Sequence, residues 1–203
     1  MMATTHVLAG ILLGLGALAV APVESSAVVL AAALGGLFPD VDLLWEHRRT
    51  LHFPGWGTIA ALIATAVAVV VPTVATVSVA AFFAAMALHA VSDALGGGLS
   101  LRPWVPSSDR GVYEHVRGRW HRPRRLIRYD GAPEDAFLAV ALGLPAYASL
   151  TGLGRWAVVG LLLVSVVYAA LRRSLVDGGR ALVQWLPAGV VSVIPETLIE
   201  DLR

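Results

Sequence analysis

Six apolar runs dominate this chain: Val7 to Ala21, Ala27 to Phe38, Thr58 to Val71, Thr73 to Leu95, Ala136 to Leu150 and Trp156 to Leu171, each bounded by turn or charge signals. A water-soluble domain of 203 residues cannot bury that many, and the composition agrees: 57% of the residues are hydrophobic, 14% are charged, and the mean hydropathy is +0.74. The chain therefore reads as all-α, a polytopic integral membrane helical bundle of about six segments with a surface-lying basic and aromatic insert. A 15-residue run reaches about 22 Å as a helix, short of the roughly 30 Å hydrocarbon core. The first two runs are thus either full spans or a half-inserted hairpin, with the second extending through Val41, Leu43 and Leu44 toward the boundary.

The expected organisation is a four-segment membrane region at 1–95, an interfacial insert at 96–135, two further membrane helices at 136–171, and a tail at 172–203. The amphipathic piece Gly179 to Val193 of that tail is expected to rest on the membrane. The fifteen basic residues are all arginine. The turns after the first, third and fifth runs hold only Arg155, whereas Arg48, Arg49, eight arginines from Arg102 to Arg128, Arg172, Arg173, Arg180 and Arg203 fall on the other side. The positive-inside rule makes that side cytoplasmic and places both termini there, in the cell membrane. The apolar run ending near Ala19 and Ala21 has the outline of a secretory leader, but nothing basic precedes it, so it is expected to be retained.

The insert opens on Gly96, Gly97 and Gly98 and carries Trp104, Tyr113, Trp120 and Tyr129 among its arginines, a composition suited to the headgroup layer. Six arginines from Arg110 to Arg125 suit contact with anionic lipid, and His115 and His121 read as surface residues. The formal net charge is only +1, and no nucleic-acid partner is expected.

Against this background seven ionisable side chains stand out: His6, Asp40, Asp42, His47, His52, His89 and Asp93. Each lies where an apolar run returns to the arginine-rich side. A charge near hydrocarbon costs about 2.5 to 3.5 kcal/mol, so such a cluster calls for mutual pairing or a shared ion. Cysteine is absent, which excludes thiolate zinc sites and iron-sulfur clusters and leaves imidazole and carboxylate as the metal donors.

His89 and Asp93 are four apart and share a helix face, where they can bind one ion or simply stabilise the helix as a pair. Pro39 redirects the chain at Phe38-Pro39-Asp40-Val41-Asp42; in an extended stretch the two carboxylates would face one site, whereas a helix-end turn would leave Asp40 as a cap. Two anions this close repel unless a cation or proton intervenes. Four imidazoles and three carboxylates suit one or two divalent ions, zinc first and manganese second, with a metal-bound water as nucleophile. Arg48 or Arg49 would hold a phosphate by bidentate contact, or would serve topology alone.

Thr5-His6, Phe38-Pro39-Asp40-Val41-Asp42, His47-Arg48 with His52, and Leu88-His89 to Asp93-Ala94-Leu95 resemble the YdjM-type family of membrane-bound, metal-dependent hydrolases. The resemblance covers about residues 4 to 106, including the stretch from Pro103 to Pro106. It implies a multi-span helical protein of the prokaryotic cell membrane, with those histidines and aspartates as metal ligands. The motif is also similar to zinc-dependent phospholipase C and P1-type nuclease sites, which implies phosphodiester or phospholipid chemistry. One departure is Leu51-His52-Phe53, where the family has Thr-His-Ser; Thr50 is displaced by one position.

The expected function is a metal-dependent hydrolase acting on a lipid or lipid-linked phosphoester at the cytoplasmic face, with membrane lipids as partners. Competing readings are a metal-ion transporter or sensor, and a structural or regulatory membrane protein whose cluster is only a hydrogen-bonded network. No acidic residue or histidine lies deep in the third, fifth or sixth run to continue an ion path, which argues for the hydrolase.

Overall fold

The computed structural model describes residues 1–100, 102, 104 and 108–194. Pro103, Val105 and Pro106 of the family resemblance, and Arg203 of the arginine-rich side, lie outside them. The chain is mostly helical: α1 (Ala3–Val20), α2 (Ser26–Leu37), a 3-10 helix (Phe38–Leu44), α3 (Pro54–Val70), α4 (Val74–Asp93), α5 (Pro133–Ser149), α6 (Gly152–Trp185) and a short α7 (Ala188–Val191). Four stretches are long and apolar enough to cross a membrane: Ala3–Val20, Ser26–Leu44, Val74–Asp93 and Gly152–Trp185. Pro54–Val70 is a shorter apolar helix.

Local chemistry sets the helix starts. The Ser25 hydroxyl accepts from the Ala27 N–H, Thr73 and Thr76 form a reciprocal capping box, and Pro54 and Pro133 occupy first-turn positions where a missing N–H costs nothing. The sequence reading ends the sixth run at Leu171, but α6 continues to Trp185 because no proline interrupts it before Pro187. Its 34 residues reach about 51 Å, well beyond the roughly 30 Å of hydrocarbon. Much of the expected surface tail is therefore a rigid continuation of the last helix.

The helices pack in the order α3, α4, α2, α1, α5, α6, with α1 also touching α4 and α6. One core lies between α2, α3 and α4 (Val28, Ala32, Ala68, Val77, Ala80, Ala81, Ala85), and a second between α1, α5 and α6 (Leu8, Ile11, Ala139, Ala146, Val158). Small residues carry the closest approaches. A Cβ on Gly10 would lie 2.4 Å from the Ala32 carbonyl oxygen, and one on Gly14 2.7 Å from the Val29 Cα, so this small-xxx-small spacing lets α1 and α2 meet backbone to backbone. Gly35 and Gly36 do the same on two sides of α2, facing Phe82 of α4 and His6 of α1. Leu30, Leu62, Ile63, Val69, Val70, Leu163 and Val164 point outward, as suits helices surrounded by lipid.

The insert folds onto one end of this bundle. It contains a two-stranded antiparallel hairpin, β1 (Tyr113–Glu114) and β2 (Arg119–Trp120), with Tyr113 opposite Trp120. Backbone bonds tie it down: Tyr113 N–H to the Arg48 carbonyl (2.9 Å), Arg124 N–H to Ala94 (3.0 Å) and Arg125 N–H to Gly96 (3.0 Å).

Candidate metal centre

The first turns of α1, the 3-10 helix, the loop before α3 and the last turn of α4 meet at the end of the bundle that the insert covers. Their polar side chains form one buried cluster. His6, Asp42, His52, His89 and Asp93 are all at most 3% exposed. Backbones close enough to bring His6 and His89 together depend on Gly36, whose Cβ position would be 2.4 Å from the His6 carbonyl oxygen. The two imidazoles stack at 3.6 Å between centroids.

The hydrogen bonds fix which nitrogen of each ring faces the cluster. His89 Nδ1 donates to the Gly36 carbonyl at 2.6 Å, so its Nε2 is the nitrogen turned to the cluster, 3.4 Å from Asp40 Oδ1 and 3.7 Å from Asp93 Oδ2. His52 Nδ1 donates to Asp42 Oδ2 at 2.8 Å, leaving its Nε2 3.5 Å from Asp93 Oδ2. Both Nε2 atoms are buried and, among the described residues, make no close hydrogen bond beyond these longer contacts to the carboxylates. Buried polar atoms are seldom left unpaired. Here two ring nitrogens and two carboxylates converge, an arrangement that holds together only with a proton or a metal cation between them.

One donor atom from each of Asp40, His52, His89 and Asp93 lies within 4.8 Å of every other, and the same holds for Asp42, His47 and His52. Both groups can chelate a divalent ion, yet their chemistry differs. In the second, both Asp42 oxygens are already engaged: Oδ1 by His47 Nδ1 at 2.8 Å, and Oδ2 by His52 Nδ1 and by the Leu51 N–H at 3.2 Å. A carboxylate so engaged fixes the orientation of the His52 ring through its Nδ1.

Asp40 and Asp42 diverge in the structure. The sequence allowed an extended Phe38-to-Asp42 stretch with both carboxylates facing one way, but Pro39 initiates a 3-10 helix, where residues two apart point in different directions. Asp40 consequently reaches His89, and Asp42 reaches His47 and His52. The displaced Thr50 hydroxyl donates to the Glu46 carbonyl, and Asp42 gives His52 its support.

Asp93 is the most heavily contacted member. Its Oδ1 accepts from His6 Nε2 (3.0 Å) and lies 2.7 Å from the Met1 amino nitrogen; its Oδ2 lies 3.2 Å from Arg48 Nε. Arg48 is buried, holds a left-handed backbone at φ 60°, and donates from Nη1 to the Gly97 carbonyl at 2.6 Å. Arg49 points outward to Glu46 and lies over the Tyr113 ring.

His115 packs on Phe53 and Tyr113 outside both ligand groups, and burial holds its imidazole below the usual histidine range. His121 lies 3.8 Å from Glu114, also outside them. Sequence reasoning missed Asp135, which is fully buried and accepts from the Met2 N–H (2.7 Å), the Thr5 hydroxyl (2.8 Å) and the Gly131 N–H (3.1 Å). It fixes the start of α1, and with it His6. The available signal was its place in the first turn of α5, two residues after Pro133.

Comparison with known proteins finds no matching family, no similar curated protein and no matching solved structure.

Proposed function

We propose that this protein is a membrane-bound, metal-dependent hydrolase of the YdjM type, acting on a phosphoester of a lipid or lipid-linked substrate. One observation carries the reading: the buried Nε2 atoms of His52 and His89 and the carboxylates of Asp40 and Asp93 bring four donor atoms within 4.8 Å of one another, with none of these contacts a close hydrogen bond. Two nitrogens and two oxygens are a donor set that zinc takes readily and manganese accepts. A divalent ion at such a place lowers the pKa of water and neutralises charge on a phosphoryl oxygen.

The surrounding residues have separate tasks on this reading. Asp42 and the Gly36 carbonyl hold His52 and His89 in the tautomer that offers Nε2. His6 occupies one oxygen of Asp93 and leaves the other turned inward. His47, about a quarter exposed, forms the outer edge with Asp42. Arg48 pairs with Asp93 and adds positive charge where an anionic group would approach. The arginine-rich end, which carries the site, faces the cytoplasm of a prokaryotic cell.

Hydrolysis is favoured over ion transport because the helices below the site bury Leu8, Ile11, Val28, Ala32, Val77, Ala80, Ala81 and Ala85, with no further histidine or carboxylate among them. The test is metal analysis of the purified, dialysed protein, followed by phosphodiester hydrolysis before and after chelation. About one ion per chain and chelator-sensitive hydrolysis are expected. Metal without hydrolysis, together with uptake of that metal into sealed vesicles, would establish the transporter instead. Absence of bound metal would leave a hydrogen-bonded network.

A further inference from the structure

The insert presents more than a diffuse basic surface. Several of its arginines are neutralised or occupied: Arg128 by Glu134, Arg122 by Asp109 at 3.7 Å, Arg125 by the Ser108 carbonyl, and Arg110 by the Trp120 ring. Arg117, Arg119 and Arg124 make no side-chain hydrogen bond, ion pair or ring contact among the described residues, and all three are exposed. Arg117 and Arg119 flank the hairpin turn at Gly118. Arg124 is held beside the site, because its N–H bonds the carbonyl of Ala94, the residue after Asp93.

Apolar groups accompany this charge. The turn residue Val116 is 54% exposed, and its Cγ2 lies against Gly55 in the first turn of α3, next to Trp56, which is also 54% exposed. Trp45 and Leu126 are exposed as well. Exposed tryptophan at a helix start, with an apolar turn and free arginines beside it, is the composition of a surface seated in the headgroup layer. Of the groups in that layer, unpaired guanidinium recognises phosphate that carries net negative charge.

From this juxtaposition we infer that the hairpin and the 124–126 segment form a docking site for anionic phospholipid at the end of the bundle that carries the metal centre. Resting on the hydrolase reading, this narrows the substrate to an anionic lipid rather than a zwitterionic one. Docking itself requires only the arginines and the membrane, so it can be tested apart from the chemistry.

The experiment uses the full chain in mixed bilayers of phosphatidylglycerol and phosphatidylcholine, with one or the other lipid brominated to quench tryptophan. Subtracting the signal of Trp120→Phe isolates Trp120. Quenching by the brominated anionic lipid should exceed that by the brominated zwitterionic lipid by up to about fivefold, the factor one arginine contributes near an anionic surface. Replacing Arg117, Arg119 and Arg124 together by Gln should bring the two to parity with metal per chain unchanged. Salt near 1 M, where the Debye length is about 3 Å, should do the same to the unsubstituted protein, so the inference stays testable even if the triple variant fails to fold. Equal quenching by both lipids at low salt overturns it. A preference that persists in protein without bound metal supports docking and overturns only the hydrolase reading.

Discussion

Two buried polar clusters sit at the same end of this bundle and differ in one respect. Around α5 and α6, Asp135 is satisfied by Met2, Thr5 and Gly131, Asp130 pairs with Arg172 and Tyr168, and the Ser165 hydroxyl donates to Thr4 at 2.7 Å. Around α2 and α4, by contrast, the buried Nε2 atoms of His52 and His89 make only long contacts, 3.4 to 3.7 Å, to the Asp40 and Asp93 carboxylates. A polar network that closes on itself holds helices together, whereas one with donor atoms left facing inward is prepared for something else.

The sharpest way to break this distinction is His89→Ala. It should reduce bound metal from about one per chain to near zero, read by elemental analysis after dialysis, because it removes one of four donors. Retained stoichiometry would place the ion elsewhere. Next in size, Asp42→Asn keeps all four donors and should weaken affinity about 10- to 100-fold, measured by competition with a chelator, since only the orienting bond to His52 changes. A complete loss of binding would instead make Asp42 a ligand. Asp135→Asn tests the other cluster: a loss of about 1 to 3 kcal/mol in stability is expected from a disturbed buried acceptor, with metal stoichiometry intact. The smallest effect belongs to His121→Ala, which should alter neither metal loading nor, by more than about 0.5 kcal/mol, stability.

The sequence discloses the helices because lipid requires long apolar runs, and it gathers the seven polar residues because an even number of crossings returns each to the same side. It does not separate donors from supports. His6 and His89 are both imidazoles at helix ends, yet one donates to Asp93 while the other turns Nε2 between Asp40 and Asp93, and that depends on the Gly36 carbonyl of a neighbouring helix. The direction of Asp40 relative to Asp42 was similarly hidden, because it turns on whether Pro39 starts a 3-10 helix or an extended segment. The Gly10 and Gly14 spacing was on view and carries the α1–α2 contact, although it identifies no chemistry. Asp135 is not legible in the sequence because two of its three partners, the Met2 N–H and the Thr5 hydroxyl, lie some 130 residues away.

Gly36 joins two requirements that most proteins assign to different positions. Its missing side chain admits the turn carrying His6, and its carbonyl holds Nδ1 of His89 and so turns Nε2 to the cluster. Interhelical spacing and donor readiness are thereby geared to one peptide unit, so neither can drift in evolution without the other registering the change.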